Sequence, residues 1–341
     1  MVNYSSYMVA IIIVNYRRAI DTIECLESLW AVTEPRFHVF LADNGSGVND
    51  TEALAIYSIE HAERLTFIAY PENYGFTGAH NRMLQFLLDD KRFGYVLLLN
   101  NDTVVTPGFL AAMLRAIDGS QHIEMVAAKL LKHDDPTQID SLGITFYKSG
   151  LASNRKSPND PLLGPTGGCA LYTMNLLRQL QQQTNELFDE QFFCYAEDTD
   201  LAWRAVLLGY RAAYAGDACV YHKGSVSSGG PNSDFVLYHG IRNSLWVLIK
   251  DVPVRLILPN LGWILLMQIA IVLRYFVKRK LRVIWRLYRD FFRGMPLMWR
   301  RRRGLYAQEL KSGAEMQQLV ARSFYEAGYV RQALGELWSL N

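Results

Sequence analysis

The sequence predicts an α/β protein built on a mixed, mainly parallel sheet flanked by helices, with a helical, basic region at its C-terminal end. Three observations predict it. Short apolar runs alternate with helical spacing through the first hundred residues, polar clusters close the runs at their C-terminal ends, and the last third turns to long apolar and basic segments. Strands buried on both faces read as continuous apolar runs, and ligands bind outside the carboxyl ends of such strands.

Residues 8–14 form the first apolar, β-branched run, followed by helical spacing at Ile20, Ile23, Leu26, Leu29 and Trp30. A second strand over 38–42 ends in Asp43-Asn44-Gly45-Ser46-Gly47, and a helix over about 50–60 leads to a strand over 65–70. A loop over 71–78 opens a helix over 79–88, and a fourth strand over 95–99 ends in Asn100-Asn101-Asp102. Beyond residue 125 the spacing predicts short strands over 125–128 and 144–146, then a polar loop over 149–165 running into Thr166-Gly167-Gly168. The acidic segment 188–204 follows. Two further strands are expected over 211–215 and 218–222, before a Gly- and Ser-rich loop over 223–234.

Half of the 341 residues are apolar and 20% are charged, an ordinary globular composition. The net charge of +2 conceals an asymmetry: residues 278–303 hold eleven Lys or Arg against one acid, leaving −8 for the rest. A basic segment beside an acidic body points to an anionic surface as partner. Four cysteines without CxxC spacing suit a reducing cytoplasm rather than a disulfide framework or zinc site. The apolar run at 9–14 is too short for a signal peptide. Neither a P-loop nor a G-x-G-x-x-G fingerprint occurs, which excludes Walker NTPases and standard dinucleotide enzymes.

Chemistry concentrates in Glu197-Asp198-Thr199-Asp200, three carboxylates within four positions. Clustered carboxylates repel, so they are a poor choice for stability and a good one for a catalytic base held among orienting groups. The alternative is helix capping by Asp198 or Thr199. Asp43, at a strand end beside a permissive glycine, has the geometry to accept hydrogen bonds from a nucleobase or ribose. Asn100-Asn101-Asp102 puts one carboxylate at the open end of a buried strand, the usual way to hold Mg²⁺ or Mn²⁺ with substrate phosphates. His222 offers a nitrogen ligand, which Mn²⁺ tolerates better than Mg²⁺.

Taken in order, VAIIIVNYRR (9–18), LADNGS (41–46), ENYGFTGAHN (72–81), YVLLLNNDTVV (95–105), GPTGGCALY (164–172), FDEQFFCYAEDTDLAWRA (188–205) and VYHKGS (220–225) resemble a GT-A glycosyltransferase of family 2, most like the rhamnosyltransferase-type enzymes of bacterial polysaccharide assembly. The resemblance covers about residues 8–250. It implies a GT-A, Rossmann-like fold and inverting transfer of a sugar from a nucleotide diphosphate donor, with dTDP-rhamnose favoured and a UDP-sugar the alternative. It also implies that Asn15, Tyr16 and Asp43 line the nucleotide pocket and that Asn73, Gly75 and Asn81 lie along the nucleotide-sugar. Asn100 and Asp102 fall at the family's D-x-D position, with Asn100 replacing the first acid. Asp102 and His222 would hold Mg²⁺ or Mn²⁺. Gly167 and Gly168 would approach sugar or acceptor, Glu197 would hydrogen-bond the acceptor, and Asp198 would be the base.

Two domains are expected: a catalytic domain over 1–250, with a nucleotide-sugar half to about 125 and an acceptor half after it, and a helical region over 251–341. Residues 256–277 are apolar but carry Pro259, Asn260, Gln268 and Arg274, marginal for a spanning helix. With the basic, aromatic stretch that follows, 256–303 is expected to meet an anionic membrane surface as a peripheral protein at the cytoplasmic face of the inner membrane. A lipid-linked acceptor, such as a glycan on polyprenyl diphosphate, would fit that placement. No nucleic-acid module accompanies the basic residues. The competing readings are a nucleotidyltransferase and a non-catalytic sugar-nucleotide or membrane-binding protein on the same scaffold.

Overall fold

The computed structural model describes residues 7–33, 36–224, 230, 233–307, 315–326 and 328–329. Part of the Gly- and Ser-rich loop, at 225–229 and 231–232, therefore lies outside the described residues. In chain order the elements are β1 (Met8–Asn15), α1 (Ala19–Trp30), β2 (Phe37–Asn44), α2 (Val48–Glu60), β3 (Leu65–Tyr70), α3 (Gly75–Leu88), β4 (Phe93–Leu99), β5 (Thr103–Val105), α4 (Phe109–Arg115), β6 (Ile123–Lys132), β7 (Ile139–Ser141), β8 (Ile144–Tyr147), β9 (Ala152–Asn154), β10 (Cys169–Thr173), α5 (Met174–Thr184), α6 (Glu197–Leu207), β11 (Arg211–His222), α7 (Asp234–Lys250), α8 (Val254–Val277), α9 (Leu281–Tyr306) and β12 (Val320–Ala321).

Among the described residues one sheet has nine strands, ordered β3-β2-β1-β4-β10-β6-β11-β5 with β7 on β6. It is parallel from β3 to β4. β10 runs antiparallel to both neighbours, and β6 and β11 are again parallel. A small second sheet joins β12, β8 and β9.

The alternation of β1 explains the two-sided burial. Val9, Ile11 and Ile13 pack with Leu26, Leu29 and Leu54 of α1 and α2, while Ala10 and Ile12 pack with Met83 and Leu84 of α3. Both faces of the strand are therefore dry, as the unbroken apolar run requires.

Three local expectations change. The two strands expected over 211–215 and 218–222 are one strand, β11, whose register against β6 shifts between Ala215 and Cys219. A bulge keeps such a strand continuous while re-aiming its end. The helix expected from residue 79 begins at Gly75, so half of the expected loop is helical. The acidic helix α6 starts at Glu197 after Ala196 in the left-handed conformation, with no side-chain cap, so Asp198 and Thr199 are not its caps.

The C-terminal helices pack on α7 and on the residues that follow it. The Trp246 indole of α7 donates to the Phe291 carbonyl of α9 (3.2 Å), and Arg302 donates to the Val252 carbonyl (2.8 Å).

Candidate active site

The parallel strands β1, β2 and β4 end on one edge, and register places Asn15 beside Asp43. Both are fully buried. The Asn15 amide donates to Asp43 (2.7 Å) and to Ser46 Oγ (3.0 Å), while its carbonyl accepts from Thr22 (2.8 Å) and Asn101 (3.3 Å). Asp43 also accepts from Thr51 (2.6 Å) and from Ser46. These two residues thus hold the turn after β2 against β1 from beneath. Tyr16, half-buried, follows β1 directly, with the Arg17 guanidinium 4.9 Å from its ring centre.

The next loop is clasped by Asn44, which the sequence reading passed over. Its amide donates to Asn73 Oδ1 (3.0 Å) and to the Gly75 carbonyl (3.1 Å), and its own Oδ1 accepts from Tyr74 N (3.0 Å). Gly75 has φ +70°, and a Cβ there would sit 2.4 Å from the Phe193 carbonyl oxygen. Only glycine allows that approach. Asn81 is turned the other way: its side chain bonds both the N–H (3.0 Å) and the carbonyl (2.8 Å) of Phe188, with Glu190 at 3.2 Å. In this structure it anchors the acidic segment rather than facing the strand-end cleft.

β5 pairs antiparallel with β11, opposing Thr103 and His222, and this brings Asp102 to the imidazole. His222 Nε2 lies 3.2 Å from Asp102 Oδ1 and 3.5 Å from the Asn100 amide nitrogen. Its Nδ1 lies 2.7 Å from Asp140 Oδ2 on β7. Burial alone would lower the His222 pKa, but hydrogen bonds and charge from both carboxylates raise it to about 9. Burial likewise acts to raise Asp140, and the His222 hydrogen bond holds it below the usual carboxylate range. Two ligands at right angles on an ion with bonds of about 2.1 Å are roughly 3 Å apart. The Asp102 and His222 pair has that spacing at 3.2 Å, and the donor set fits a divalent cation once the ion displaces the Nε2 proton that the two groups share.

The glycine segment joins this pair to the acidic helix. Asn100 N donates to the Gly168 carbonyl (3.0 Å), and Gly167 N donates to Asp198 Oδ2 (3.1 Å). Asp198 is half-buried and also accepts from Thr199 N (2.7 Å). Burial pushes its pKa up, and the bonds from Gly167 and Thr199 pull partly against that. Glu197 is 5% exposed, and its Oε2 has no hydrogen-bond partner among the described residues. Burial first, then the charge of Asp198, pushes its pKa far up. It therefore lies beneath the site, not at the surface where an acceptor would meet it.

The loop ahead of α6 is strained: Phe193, Tyr195 and Ala196 have φ of 64°, 73° and 63°. Non-glycine residues persist there only when their surroundings over-determine them. Asn243 of α7 supplies that constraint, its amide nitrogen lying 3.0, 2.9 and 2.8 Å from the carbonyls of Phe192, Cys194 and Tyr195.

Glu186, Asp189 and Asp200 bring three carboxylates within 4.8 Å of one another, a spacing open to a metal ion. Lysine occupies that position. Lys250 Nζ, 1% exposed at the side chain, contacts Asp200 (2.6 Å), Asp189 (3.0 Å) and Glu186, while Arg204 pairs with Asp200 (2.7 Å). This is an ion cluster that fixes α6 from below. A cavity of about 590 Å³ bordered by Tyr7, Phe93, Glu124, Thr173 and Arg178 lies near the opposite, N-terminal end of β4. It takes no part in the strand-end site.

The family model described as glycosyl transferase family 2 matches residues 10–181, half of the chain. No curated protein sequence matches it. Among solved structures, the mannosyltransferase PcManGT from Pyrobaculum calidifontis, in complex with GDP-Man and Mn²⁺, is similar at 16% identity and TM-score 0.53, over 99% of this chain and 82% of that one. GalNAc-T7 with UDP, GalNAc and Mn²⁺ is 13% identical at TM-score 0.57, over 73% of this chain and 48% of that one. S. aureus TarS 1-349 in complex with UDP is 18% identical at TM-score 0.50, over 72% of this chain and 67% of that one. The chain thus spans about two thirds of TarS 1-349 and about half of GalNAc-T7, and what these structures share with it is the GT-A fold.

Proposed function

Because the chain belongs to glycosyl transferase family 2, we propose that it is an inverting, metal-dependent glycosyltransferase that moves a sugar from a nucleotide diphosphate donor to a hydroxyl of a glycan acceptor. dTDP-rhamnose is the favoured donor and a UDP-sugar the alternative. The acceptor is a lipid-linked glycan of cell-surface polysaccharide synthesis, met at the cytoplasmic face of the membrane by segment 256–303. The GDP-Man and Mn²⁺ of the mannosyltransferase, and the UDP and Mn²⁺ of GalNAc-T7, support a nucleotide-sugar and a divalent ion for this chain too.

The observation that carries this reading is the Gly167-Gly168 segment. One of its residues bonds Asp198 and the other bonds Asn100, beside Asp102 and His222, so base and cation ligands share one mount. Asp198 removes the acceptor hydroxyl proton as that oxygen attacks the anomeric carbon, and the sugar–diphosphate bond breaks with its electron pair leaving on the nucleotide. Its raised pKa matches it to that proton transfer. Asp102 and His222 would hold Mg²⁺ or Mn²⁺, which supplies charge neutralisation for the leaving diphosphate. Asn15, Asp43, Asn44 and Asn73 shape the two loops over which the nucleotide would lie, with Tyr16 beside them, and Gly75 lets the second loop close on Phe193. Glu197 and Asn81 act from behind the site.

The test is nucleoside diphosphate release from a panel of nucleotide-sugars with Mg²⁺ or Mn²⁺, by wild type and Asp198→Asn. Release with one donor, reduced ~10²–10⁴-fold in the variant, is expected. Release unchanged by the substitution would move the base elsewhere. A donor that binds in a thermal-shift assay without turnover, even with lipid-linked acceptor present, would favour a binding protein on the same scaffold.

A further inference from the structure

α8 is long enough, at roughly 36 Å, to cross a hydrocarbon core of about 30 Å, and it is apolar enough by composition. Its placement decides otherwise. Leu256, Ile264, Met267 and Ile271 form one buried stripe, and Met267 and Ile271 pack with Leu151, Leu237 of α7 and Ile284 of α9. Leu258, Leu265, Ile269, Leu273 and Phe276 form a second stripe on the opposite face, each more than half exposed. One side of α8 therefore lies along the protein for most of its length while the other is apolar and uncovered.

The connections fix the topology. Just before α8, Asp251 and Val252 are buried at the end of α7. At the end of α9 the chain returns to the same two residues: Arg302 donates to the Val252 carbonyl (2.8 Å) and Tyr306 to the Asp251 carbonyl (2.7 Å). Just past the other end of α8, Lys280 pairs with Asp234 at the start of α7 (2.8 Å), and beyond the middle of α8 Gln268 accepts from Tyr288 of α9 (3.0 Å). If α8 crossed a bilayer, α9, too rich in arginine to cross back, would lie on the far side from α7, and the bonds of Lys280, Arg302 and Tyr306 would break.

α9 carries three stripes. Ile284, Leu287, Phe291 and Met298 are buried; Leu281, Trp285, Phe292 and Trp299 are exposed; and Arg282, Arg286, Arg293 and Arg300 line the next face, with Asp290 the sole acid of the helix. An exposed aromatic stripe bordered by arginines is the pattern of a helix seated in an anionic interface, aromatics among the acyl chains and guanidiniums at the phosphates.

We propose that α8 and α9 form a monotopic hairpin. α8 lies in the plane of an anionic lipid surface with its uncovered stripe immersed, and both of its ends stay on the side of the active site. This rests on the peripheral-membrane reading above and adds its geometry: a lipid-anchored acceptor would reach Asp198 from the surface the hairpin rests on.

The test uses the full chain. One cysteine is added, Arg255→Cys at the start of α8 or Arg279→Cys at its end, both exposed positions. Sealed inside-out inner-membrane vesicles are then treated with a membrane-impermeant maleimide. Both positions should label equally before and after detergent, above the background of the unmodified chain. If either labels only after detergent, α8 crosses the membrane, and the in-plane geometry is overturned while the membrane reading stands. Flotation of the purified chain keeps the two apart. It should rise with vesicles of phosphatidylglycerol and phosphatidylethanolamine, with Arg282→Gln and Arg286→Gln each weakening binding on the order of fivefold. Absence of flotation, with the apolar face instead joining two copies in solution, overturns geometry and membrane reading together.

Discussion

Replacing Lys250 by methionine should detach the acidic helix from its support. The ammonium is buried among Glu186, Asp189, Asp200 and Asp251, with Arg204 and Arg301 completing the cluster. Burial and the charge of Asp200 push the Asp251 pKa far up. The ion pairs themselves join three carboxylates, Glu186, Asp189 and Asp200, to three cations, Lys250, Arg204 and Arg301. Methionine fills the space and leaves one buried negative charge, a loss of about 3–5 kcal/mol at neutral pH. Asp200 gives an independent scale. Burial acts to raise its pKa, but Arg204 and Lys250 hold it at about 2 against an ordinary 3.8. That depression is stabilisation present above the unfolded value and lost as pH falls through about 2, on the order of 2 kcal/mol. In Lys250→Met a carboxylate instead takes up a proton on folding, so the loss is largest at neutral pH and shrinks as pH falls toward 4. Urea unfolding followed by circular dichroism at pH 7 and pH 4 measures both. Asp198 lies two residues from Asp200 on α6, so transfer should fall in parallel. A variant within about 1 kcal/mol of wild type at pH 7, or one whose deficit grows on acidification, would refute the reasoning.

The acidic limb of the kcat/KM profile should fall above the ordinary carboxylate range, because burial raises the Asp198 pKa and the base must be ionised; a limb at or below that range would separate the profile from Asp198. Asp140→Asn should weaken Mn²⁺ binding ~10–100-fold by isothermal titration in the presence of nucleoside diphosphate, since Asp140 orients His222 through Nδ1. Asp102→Asn should weaken it further, and equal binding by the Asp140 variant and wild type would make that contact purely structural. Gly75→Ala forces a Cβ to 2.4 Å from the Phe193 carbonyl at positive φ, and should cost about 1–3 kcal/mol in thermal unfolding together with a lower kcat.

How much of the site was legible depended on how far apart its partners lie along the chain. Asp43, Asn100 and Asp102 could be placed because apolar runs end just before them, and the parallel edge follows from that pattern. The acidic helix announced itself by an arrangement that stability alone would avoid. Asp140 gave no signal, because its role exists only once β6 pairs with both β7 and β11 and brings it 2.7 Å from a histidine 82 residues away. Asn243 was silent for the same reason: an asparagine in an apolar helix says nothing of the three carbonyls it meets.

The sequence by itself determined the α/β alternation, the two-sided burial of β1 and β4, and the order of polar strand ends, because these depend on local periodicity and on residues close in sequence. Only the tertiary structure decided that Glu197 and Asn81 turn inward, that Lys250 fills the acidic triad, and that α9 returns to the residues before α8. Hydropathy measures how much a segment gains by leaving water. It carries no information on which neighbour, protein or lipid, will cover it, and long-range packing supplies that answer.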